Sequence, residues 1–166
     1  MNTDHLLQSA EKAFGADDTQ AALSLCEALL EQSPGHAKGL RLKAIILAGE
    51  GRLAEAIALI SGVLLHSSGN EEPCDYFYRG RWYLRNGEDA SAIKDFSALL
   101  AMEAQYDRPY YSDTALLHRA YAHTRLGRQR EALADLRAIA DDDCSTSIAG
   151  EVTNKRALLA SLGVVS

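Results

Sequence analysis

The sequence predicts an all-α fold in which antiparallel helix pairs follow one another along the chain. Three observations lead to this prediction. Of the 166 residues, 47% are apolar, 24% are charged and only three are prolines, a composition that favours helix over strand. A seven-residue phrase recurs along the chain, and a pair of small residues accompanies each copy. Recurrence at a nearly constant period is typical of a repeat protein.

The recurring phrase begins with glycine and has alanine at its sixth position. Its copies are Gly51–Ile57, Gly87–Ile93 and Gly127–Leu133, with a weaker copy at Asp17–Leu23. The copies begin 34, 36 and 40 residues apart. Because glycine tolerates the left-handed backbone conformation, each phrase is expected to begin at the turn that joins two helices.

The small residues give a second test that does not depend on the phrase. Twelve residues before the alanine of each phrase lies another small residue, and two small residues that face each other let paired helices approach closely. These pairs are Ala10 and Ala22, Ala44 and Ala56, Gly80 and Ala92, and Ala120 and Ala132. Larger apolar residues at helical spacing are expected to fill the neighbouring core layers. They are Leu6, Leu40, Tyr76 and Leu116 on the first helices and Cys26, Ile60, Phe96 and Leu136 on the second.

These features resemble the tetratricopeptide repeat family over nearly the whole chain. The segment Tyr76–Gly87 is the best match, and Leu116–Gly127 follows closely. The family's proline after the second helix appears only as Pro34, and His123 replaces a large apolar or aromatic residue. The resemblance implies a right-handed α-solenoid of antiparallel helix pairs.

The predicted elements follow the repeat in order. A single domain is expected over residues 1–166, with repeats at about 3–34, 37–68, 73–104 and 112–143. Ser112 is the predicted N-cap of the fourth pair. A capping helix is expected at about 147–162, because a stack must cover its last apolar face. Its apolar side would consist of Ile148, Val152, Leu158, Leu159 and Leu162.

No pattern of catalytic or cofactor-binding residues appears in the sequence, so an enzyme is not expected. The five histidines include no pair at the i, i+4 spacing of a helical zinc site. His118 and His123 are expected to have surface or edge roles. Gly49 and Gly51 form no phosphate loop, since neither a preceding strand nor a following Lys-Ser/Thr is predicted. We therefore predict no catalytic residue, no metal site and no cofactor.

Charge and cysteine content restrict the partner and the compartment. The net charge of −6 and the pI near 5.3 argue against nucleic acid or an anionic membrane as the main partner. No run of about 18 apolar residues marks a membrane span, and the N-terminus lacks the features of a signal peptide. Three widely spaced cysteines do not indicate a disulfide framework. A cytoplasmic protein is expected.

The resemblance implies that the first helix of each pair lines a concave binding face. The residues expected there are Lys38, Arg41, Phe77, Arg81, Arg85, Thr114, Leu117, Tyr121 and Arg125. Arginine binds carboxylates bidentately, and aromatic rings supply rigid contact area. This set predicts an acidic or carboxylate-ended peptide, or an acidic helix, along repeats two to four.

Structural roles compete with this interpretation of the groove. The arginines are either solvated or paired with acids of neighbouring helices, and Phe77 and Tyr121 are equally suited to packing. Arg79 and Arg119 recur at one repeat position and are interpreted as structural residues that bridge repeats. The connection Tyr106–Tyr111 either extends the binding rim or, as we favour, packs on helix ends. The clamp by which some family members hold chaperone tails is missing, because its lysine and asparagines are absent.

Three functions are compatible with this sequence. The leading hypothesis is an adaptor or chaperone-like module that binds an extended or helical segment of a partner protein. A bacterial immunity-type protein that neutralises a basic toxin through its acidic surface is an alternative. A self-assembling scaffold, using the first repeat or the apolar end 162–165, is another. A monomer or a weak dimer is expected.

Overall fold

The computed structural model describes residues 2–66, 71–105, 109–148 and 150–164. Its chain divides into two units, Met1–Glu71 and Glu72–Ser166, called unit 1 and unit 2 below. Each unit is described by itself. The predictions made above for residues 106–108 and for residue 165 fall outside the described residues.

Unit 1 consists of two helix pairs. Its helices are α1 (Thr3–Gly15), α2 (Thr19–Gln32), α3 (Ala37–Gly49) and α4 (Leu53–His66). Consecutive helices pack on one another, and the predicted small residues of both pairs are buried where the helices meet. Cys26, Leu42 and Ile46 complete one core cluster beside them. The predicted pairing of first and second helices is confirmed in this unit.

The turn inside each pair has the left-handed conformation that the recurring phrase predicts. Gly51, Gly87 and Gly127 have φ of +83°, +78° and +70°. Asp17 stands at this place in the weaker copy and has φ of +60°. Aspartate is among the few residues other than glycine that adopt this conformation readily. The weaker copy therefore forms the same turn as the other three.

Unit 2 contains two further helix pairs followed by a hairpin and a short helix. The elements are α5 (Pro73–Arg85), α6 (Asp89–Glu103), α7 (Ser112–Arg125), α8 (Gln129–Ala138), β1 (Ser145–Ile148), β2 (Glu151–Asn154) and α9 (Lys155–Ser161). The pairs α5–α6 and α7–α8 pack as predicted, and α6 packs on α7. The first helices of the two pairs, α5 and α7, are the ones that contact β1.

The predicted capping helix at about 147–162 is wrong over its first half. Ser145–Ile148 and Glu151–Asn154 pair as antiparallel strands, called the hairpin below, and Ile148 pairs with Glu151. The physical reason lies in the composition: serine and threonine are poor helix formers, and Gly150 has φ of +94° at the turn. A helix begins only after Asn154, whose side chain accepts a hydrogen bond from the backbone N–H of Ala157.

The expected apolar side of that cap is divided among three places. Leu158 of α9 is buried with Leu116 and Leu136, so α9 covers the end of the α7–α8 pair as a cap does. Ile148 is buried in a different cluster, against α5 and α7. Val152 is 83% exposed.

Ser112 is the first residue of α7 rather than its N-cap. The start of this helix is held instead by Glu103 of α6. The Glu103 carboxylate accepts hydrogen bonds from the backbone N–H groups of Tyr110 and Tyr111 and from the Ser112 hydroxyl. The Tyr111 ring packs against Phe77 with centroids 4.6 Å apart, whereas Tyr110 is 85% exposed. Of the two tyrosines of this connection that the structure describes, Tyr111 therefore packs as favoured and Tyr110 does not.

Two arginines at one repeat position form bidentate ion pairs inside unit 2. Arg79 donates to both carboxylate oxygens of Asp95 at 2.8 and 2.7 Å. Arg119 does the same to Asp135 at 2.9 and 2.6 Å, and its third nitrogen donates to Ser97 of α6 at 2.9 Å. The interpretation of both residues as structural is confirmed, and the predicted bridge between repeats is confirmed for Arg119. Both join the helices of their own pair, and Arg119 also bridges to the preceding pair.

We expect Gly80→Ala to destabilise the protein by about 1–3 kcal/mol, because of overpacking. A Cβ at Gly80 would lie 2.9 Å from two ring atoms of Phe96, which is fully buried. The higher helix propensity of alanine, about 1 kcal/mol, acts in the opposite direction. Urea unfolding followed by circular dichroism measures the difference in the free energy of unfolding.

Gly62→Ala on α4 is the matched control, because nothing lies within 4 Å of its added Cβ. It is expected to leave the stability unchanged or to raise it by up to about 1 kcal/mol. Equal stability changes for the two variants would contradict the close contact at Gly80.

Candidate functional site

The nine residues predicted to line a groove fall in both units. Lys38 and Arg41 lie on α3 of unit 1, where Lys38 is exposed and Arg41 is half-buried. The other seven lie on α5 and α7 of unit 2. The site described below is built from unit 2 alone.

Two of the predicted groove residues belong to the core. Phe77 is 8% exposed, and its ring contacts Tyr111 and His118 with centroids 4.6 and 5.6 Å apart. Leu117 is fully buried in the cluster that α9 covers. The packing alternative for Phe77 is thus confirmed, and the prediction that Leu117 faces a partner is wrong. Thr114 is half-buried, and its backbone carbonyl accepts a hydrogen bond from His118.

Arg125 forms its contacts within unit 2, with Asp89 of α6 and with Tyr121 of its own helix. Its Nε lies 3.3 Å from a carboxylate oxygen of Asp89 at the start of α6, and its guanidinium lies 5.8 Å from the centre of the Tyr121 ring. Burial raises the pKa of Asp89, and the charge of Arg125 acts against this shift. Part of the positive charge predicted for the groove is therefore compensated within unit 2.

Arg81 and Arg85 form the basic part of the site. They are four residues apart on α5 and so lie on one face of the helix. Arg81 is half-buried, with its guanidinium 5.6 Å from the centre of the Phe77 ring. Burial, and then the like charge of Arg85, lower the pKa of Arg81. Among the described residues, no carboxylate forms an ion pair with Arg81.

A cavity of about 330 Å³ lies between α5, α7 and the hairpin. The residues that line it are Arg81, Arg85, His118, Ser147, Ile148 and Gly150. Sequence reasoning found the two arginines but missed the other wall, because it assigned residues 147–162 to a helix. The run of serine and threonine before Ile148, followed by Gly150, was the signal for a hairpin.

His118 is the buried polar group of this cavity. It is 1% exposed, so the expected surface or edge role is wrong, and His123 is buried as well. The burial of His118 agrees with the repeat pattern, because His118 occupies the position of Leu42 in the second repeat, and Leu42 is also buried. Its Nδ1 lies 2.7 Å from the carbonyl oxygen of Thr114. That carbonyl can only accept, so Nδ1 carries the proton.

The other ring nitrogen of His118 is left without a partner. Its Nε2 is buried and makes no hydrogen bond with any of the described residues. Burial lowers the pKa of His118 to about 4; the hydrogen bond to Thr114 raises it, and the charge of Arg81 lowers it further. The imidazole is therefore neutral near pH 7, and Nε2 is an acceptor only.

The cavity thus combines two cationic donors with one neutral acceptor. Such a combination suits the binding of an anion. No group of three or more His, Cys, Asp or Glu residues suited to a metal ion occurs in the part of the chain that the structure describes. Within that same part, every helix is too short or too polar to cross a membrane.

Comparison with known proteins supports the repeat architecture. A family model described as tetratricopeptide repeat matches residues 13–72. The chain is 29% identical over 147 residues to tetratricopeptide repeat protein 34 of Xenopus laevis. That match covers 85% of this chain and 25% of the relative, so the chain spans about a quarter of the relative's length.

Solved structures give the same result for the fold. A crystal structure of the MamA protein matches with a TM-score of 0.71 and 15% identity, covering 81% of this chain and 69% of that one. YrrB, described as a TPR protein with an unusual peptide-binding site, matches with a TM-score of 0.70 and 14% identity. That match covers 81% of this chain and 65% of YrrB. The predicted all-α solenoid class is confirmed.

We expect His118 to make the protein less stable as the pH falls from about 6.5 towards 4. The unfolded state takes up a proton near pH 6.5, whereas the folded state takes it up only near the lowered pKa of about 4. Stability from this residue is therefore complete above about pH 6.5 and is lost as the pH falls.

His118→Leu removes this titration and places there the residue found in the second repeat. Relative to the native chain, the variant should gain about 2–3 kcal/mol in the free energy of unfolding between about pH 7 and pH 4.5. Urea unfolding at both pH values measures the gain. A difference between the two proteins that does not change with pH would contradict a neutral, buried His118.

Proposed function

We propose that this chain, which has the fold of tetratricopeptide repeat proteins, binds a segment of a partner protein on the first helices of its repeats. In unit 2 these are α5 and α7, which carry Arg81, Arg85, Tyr121 and Arg125. We further propose that the segment is acidic. Such a module serves as an adaptor or in a chaperone-like role, holding its partner without chemical change.

The state of Arg81 carries the proposal of an acidic segment. Arg79, Arg119 and Arg125 each pair with an aspartate of unit 2. Arg81 has no such pair among the described residues, although it is half-buried and close enough to Arg85 to be affected by its charge. A half-buried cation with a like charge nearby is stabilised by an anion. A carboxylate of the partner supplies one, and guanidinium groups bind carboxylates in well-defined geometry.

The hairpin determines where on this surface the segment lies. Because β1 packs on both α5 and α7, it covers part of the face that these helices form. The partner segment then binds beside the hairpin, where Arg85 and Arg125 are exposed and Tyr121 is half-buried. Tyrosine at such a place supplies apolar contact area with a polar tip.

The fold is compatible with this use. YrrB, a protein of the same fold, is described as having a peptide-binding site. In unit 1, taken by itself, Lys38 and Arg41 on α3 are the basic residues of the second repeat's first helix for which we propose the same use. The net charge of −6 makes a local basic surface a specific feature of the chain rather than a result of its overall composition.

Peptide selection with a charge-reversed variant tests the proposal. Peptides selected from a random display library on the native chain should be rich in aspartate and glutamate. The double variant Arg81→Glu, Arg85→Glu should bind the selected peptides at least about tenfold more weakly, because each reversal replaces an attraction by a repulsion. Affinity should also fall as the salt concentration rises.

The matched control is Arg130→Glu with Arg137→Glu, which makes the same charge change at two exposed positions of α8. This variant should keep the affinity of the native chain to within about twofold. Selection of basic peptides, or equal losses in the two variants, would contradict an acidic segment on α5 and α7. Basic peptides would instead favour binding through the acidic surface.

A further inference from the structure

The outer edge of β1 carries backbone groups that the hairpin does not use. The register of the hairpin continues to Cys144 and Lys155, and the backbone N–H of Lys155 donates to the Cys144 carbonyl at 3.3 Å. In an antiparallel pair, hydrogen-bonded residues alternate with residues whose backbone groups point away from the partner strand. Counted from Cys144, the N–H and C=O groups of Ser145 and Ser147 therefore point away from β2. In the part of the chain that the structure describes, the sheet has no third strand on this edge.

The cavity beside Arg81 lies along the same edge. Ser147 and Ile148 are consecutive residues of β1, so their side chains point to opposite faces of the hairpin. In agreement with this, Ser147 is exposed and Ile148 is buried. Both residues line the cavity, and no described residue of β2 does. A cavity bordered by both faces of β1 but not by β2 lies along the outer edge of β1.

The sequence of β1 does not protect this edge against a further strand. Proteins usually protect unpaired edges with charged residues, proline or a bulge. The four residues of β1 are uncharged and include no proline, and each pairs with one residue of β2 without a bulge. By contrast, β2 begins with Glu151 and runs directly into α9, which contacts it. The edge of β1 is therefore the better template for strand addition.

Arg81 favours an acidic side chain on such a strand. Its guanidinium lies beside the Phe77 ring, it lines the cavity, and it forms no ion pair with the residues that the structure describes. Alternate side chains of a strand added to β1 point towards α5 and α7. A carboxylate at one of these positions faces a guanidinium that binds it with well-defined geometry.

The space beside β1 fits a strand better than a helix. A third strand would lie about 4.8 Å from β1. One turn of a helix, about 10–12 Å wide with its side chains and 5.4 Å long, occupies about 500 Å³. The cavity has a volume of about 330 Å³. A helix would have to displace the hairpin, whereas a strand would extend it.

We propose that the partner segment binds as a third β-strand on the outer edge of β1, with an acidic side chain paired to Arg81. Main-chain hydrogen bonds with Ser145 and Ser147 supply affinity that is independent of sequence, and Arg81 supplies the preference for an acid. The inference rests on the proposed function, because it specifies the conformation and the place of the same acidic segment.

N-methylation of the peptide backbone tests strand pairing on the native chain. An acidic peptide from the display selection is synthesised with one N-methyl group at each position in turn. A strand directs alternate N–H groups to β1, so affinity should fall at least about tenfold at every second position and by less than about threefold between them. Losses at consecutive positions, as expected for a helix, or no loss at any position would overturn the proposal.

Hydrogen exchange identifies the edge that the peptide occupies. Binding of the unmethylated peptide should slow exchange of the Ser145 and Ser147 N–H groups at least about tenfold. The N–H of Val152 points outward from β2 in the same register and should exchange as before. Slower exchange at Val152 without a change at Ser147 would overturn the proposal. So would slower exchange at Ser147 when the native chain is concentrated without peptide, because a second copy would then occupy the edge.

Proline variants test the same edge from the side of the protein. Ser147→Pro removes an N–H that the hairpin does not use, and proline is tolerated at such edge positions. It should weaken the peptide at least about tenfold, whereas Ser147→Ala should bind it to within about twofold, because the backbone makes the contact. Val152→Pro is the matched control on β2 and should bind normally. Equal losses in the two proline variants would contradict pairing with β1.

A double-mutant cycle tests the ion pair. Arg81→Gln should weaken the peptide about tenfold, and so should glutamine in place of one acidic residue of the peptide. The two changes together should cause little further loss, because both remove the same interaction. Fully additive losses for every acidic residue of the peptide would contradict a carboxylate paired with Arg81.

The two proposals fail in different ways. If acidic peptides lose affinity for the charge-reversed variant but N-methylation shows no alternation, the strand proposal is wrong and the acidic-segment proposal stands. If the selected peptides show the alternation but are not acidic, the acidic-segment proposal is wrong, and the ion pair with Arg81 is wrong with it.

Discussion

The close approach of α5 and α6 at Gly80 is the contact on which the cavity of unit 2 depends. Because Gly80 has no side chain, the Phe96 ring lies directly against α5. Phe96 in turn contacts Phe77 and His118, with centroids 6.4 and 5.3 Å apart. Phe77 then supports the guanidinium of Arg81. The absence of a side chain at Gly80 therefore helps to set the position of Phe96. Through Phe96 it also affects the positions of His118 and of Phe77 beside Arg81, since close-packed interiors transmit small changes in volume.

Unit 2 uses arginine in two physically different ways. Arg79 and Arg119 reach low-exposure aspartates sixteen residues further along and hold paired helices together by bidentate bonds. Removing one partner of such a pair leaves a charge in poorly solvated surroundings, which is strongly destabilising. Arg81 lies two positions after Arg79, so it lies on roughly the opposite side of α5, and its guanidinium contacts an aromatic ring in place of a carboxylate. Arg79 and Arg119 therefore use their N–H donors within the protein, whereas the guanidinium of Arg81 can donate to a ligand.

The repeat could be predicted from sequence because it rests on local rules. Residues within a single repeat determine both the close contact of its two helices, at Ala44 and Ala56, and the left-handed turn at Gly51. The hairpin could not be predicted in the same way, because the apolar residues from Ile148 to Leu158 are also compatible with one face of a single helix. The contacts of the His118 ring with Phe77 and Phe96 join three different helices, α7, α5 and α6. The sequence identified Arg81 and Arg85 as candidate binding residues. That His118 lines the same cavity could be seen only in the tertiary structure.

The hairpin holds its position through very little buried surface. Ile148 is the buried residue of its two described strands, and burying one isoleucine side chain contributes about 1.5–3 kcal/mol. Its contacts with Phe77 also join residues far apart in the chain, so they close a longer loop than the contacts within a helix pair. Local opening of this wall therefore needs less free energy than unfolding of the helices. Of the walls of the cavity, the one formed by the hairpin is therefore the least costly to displace.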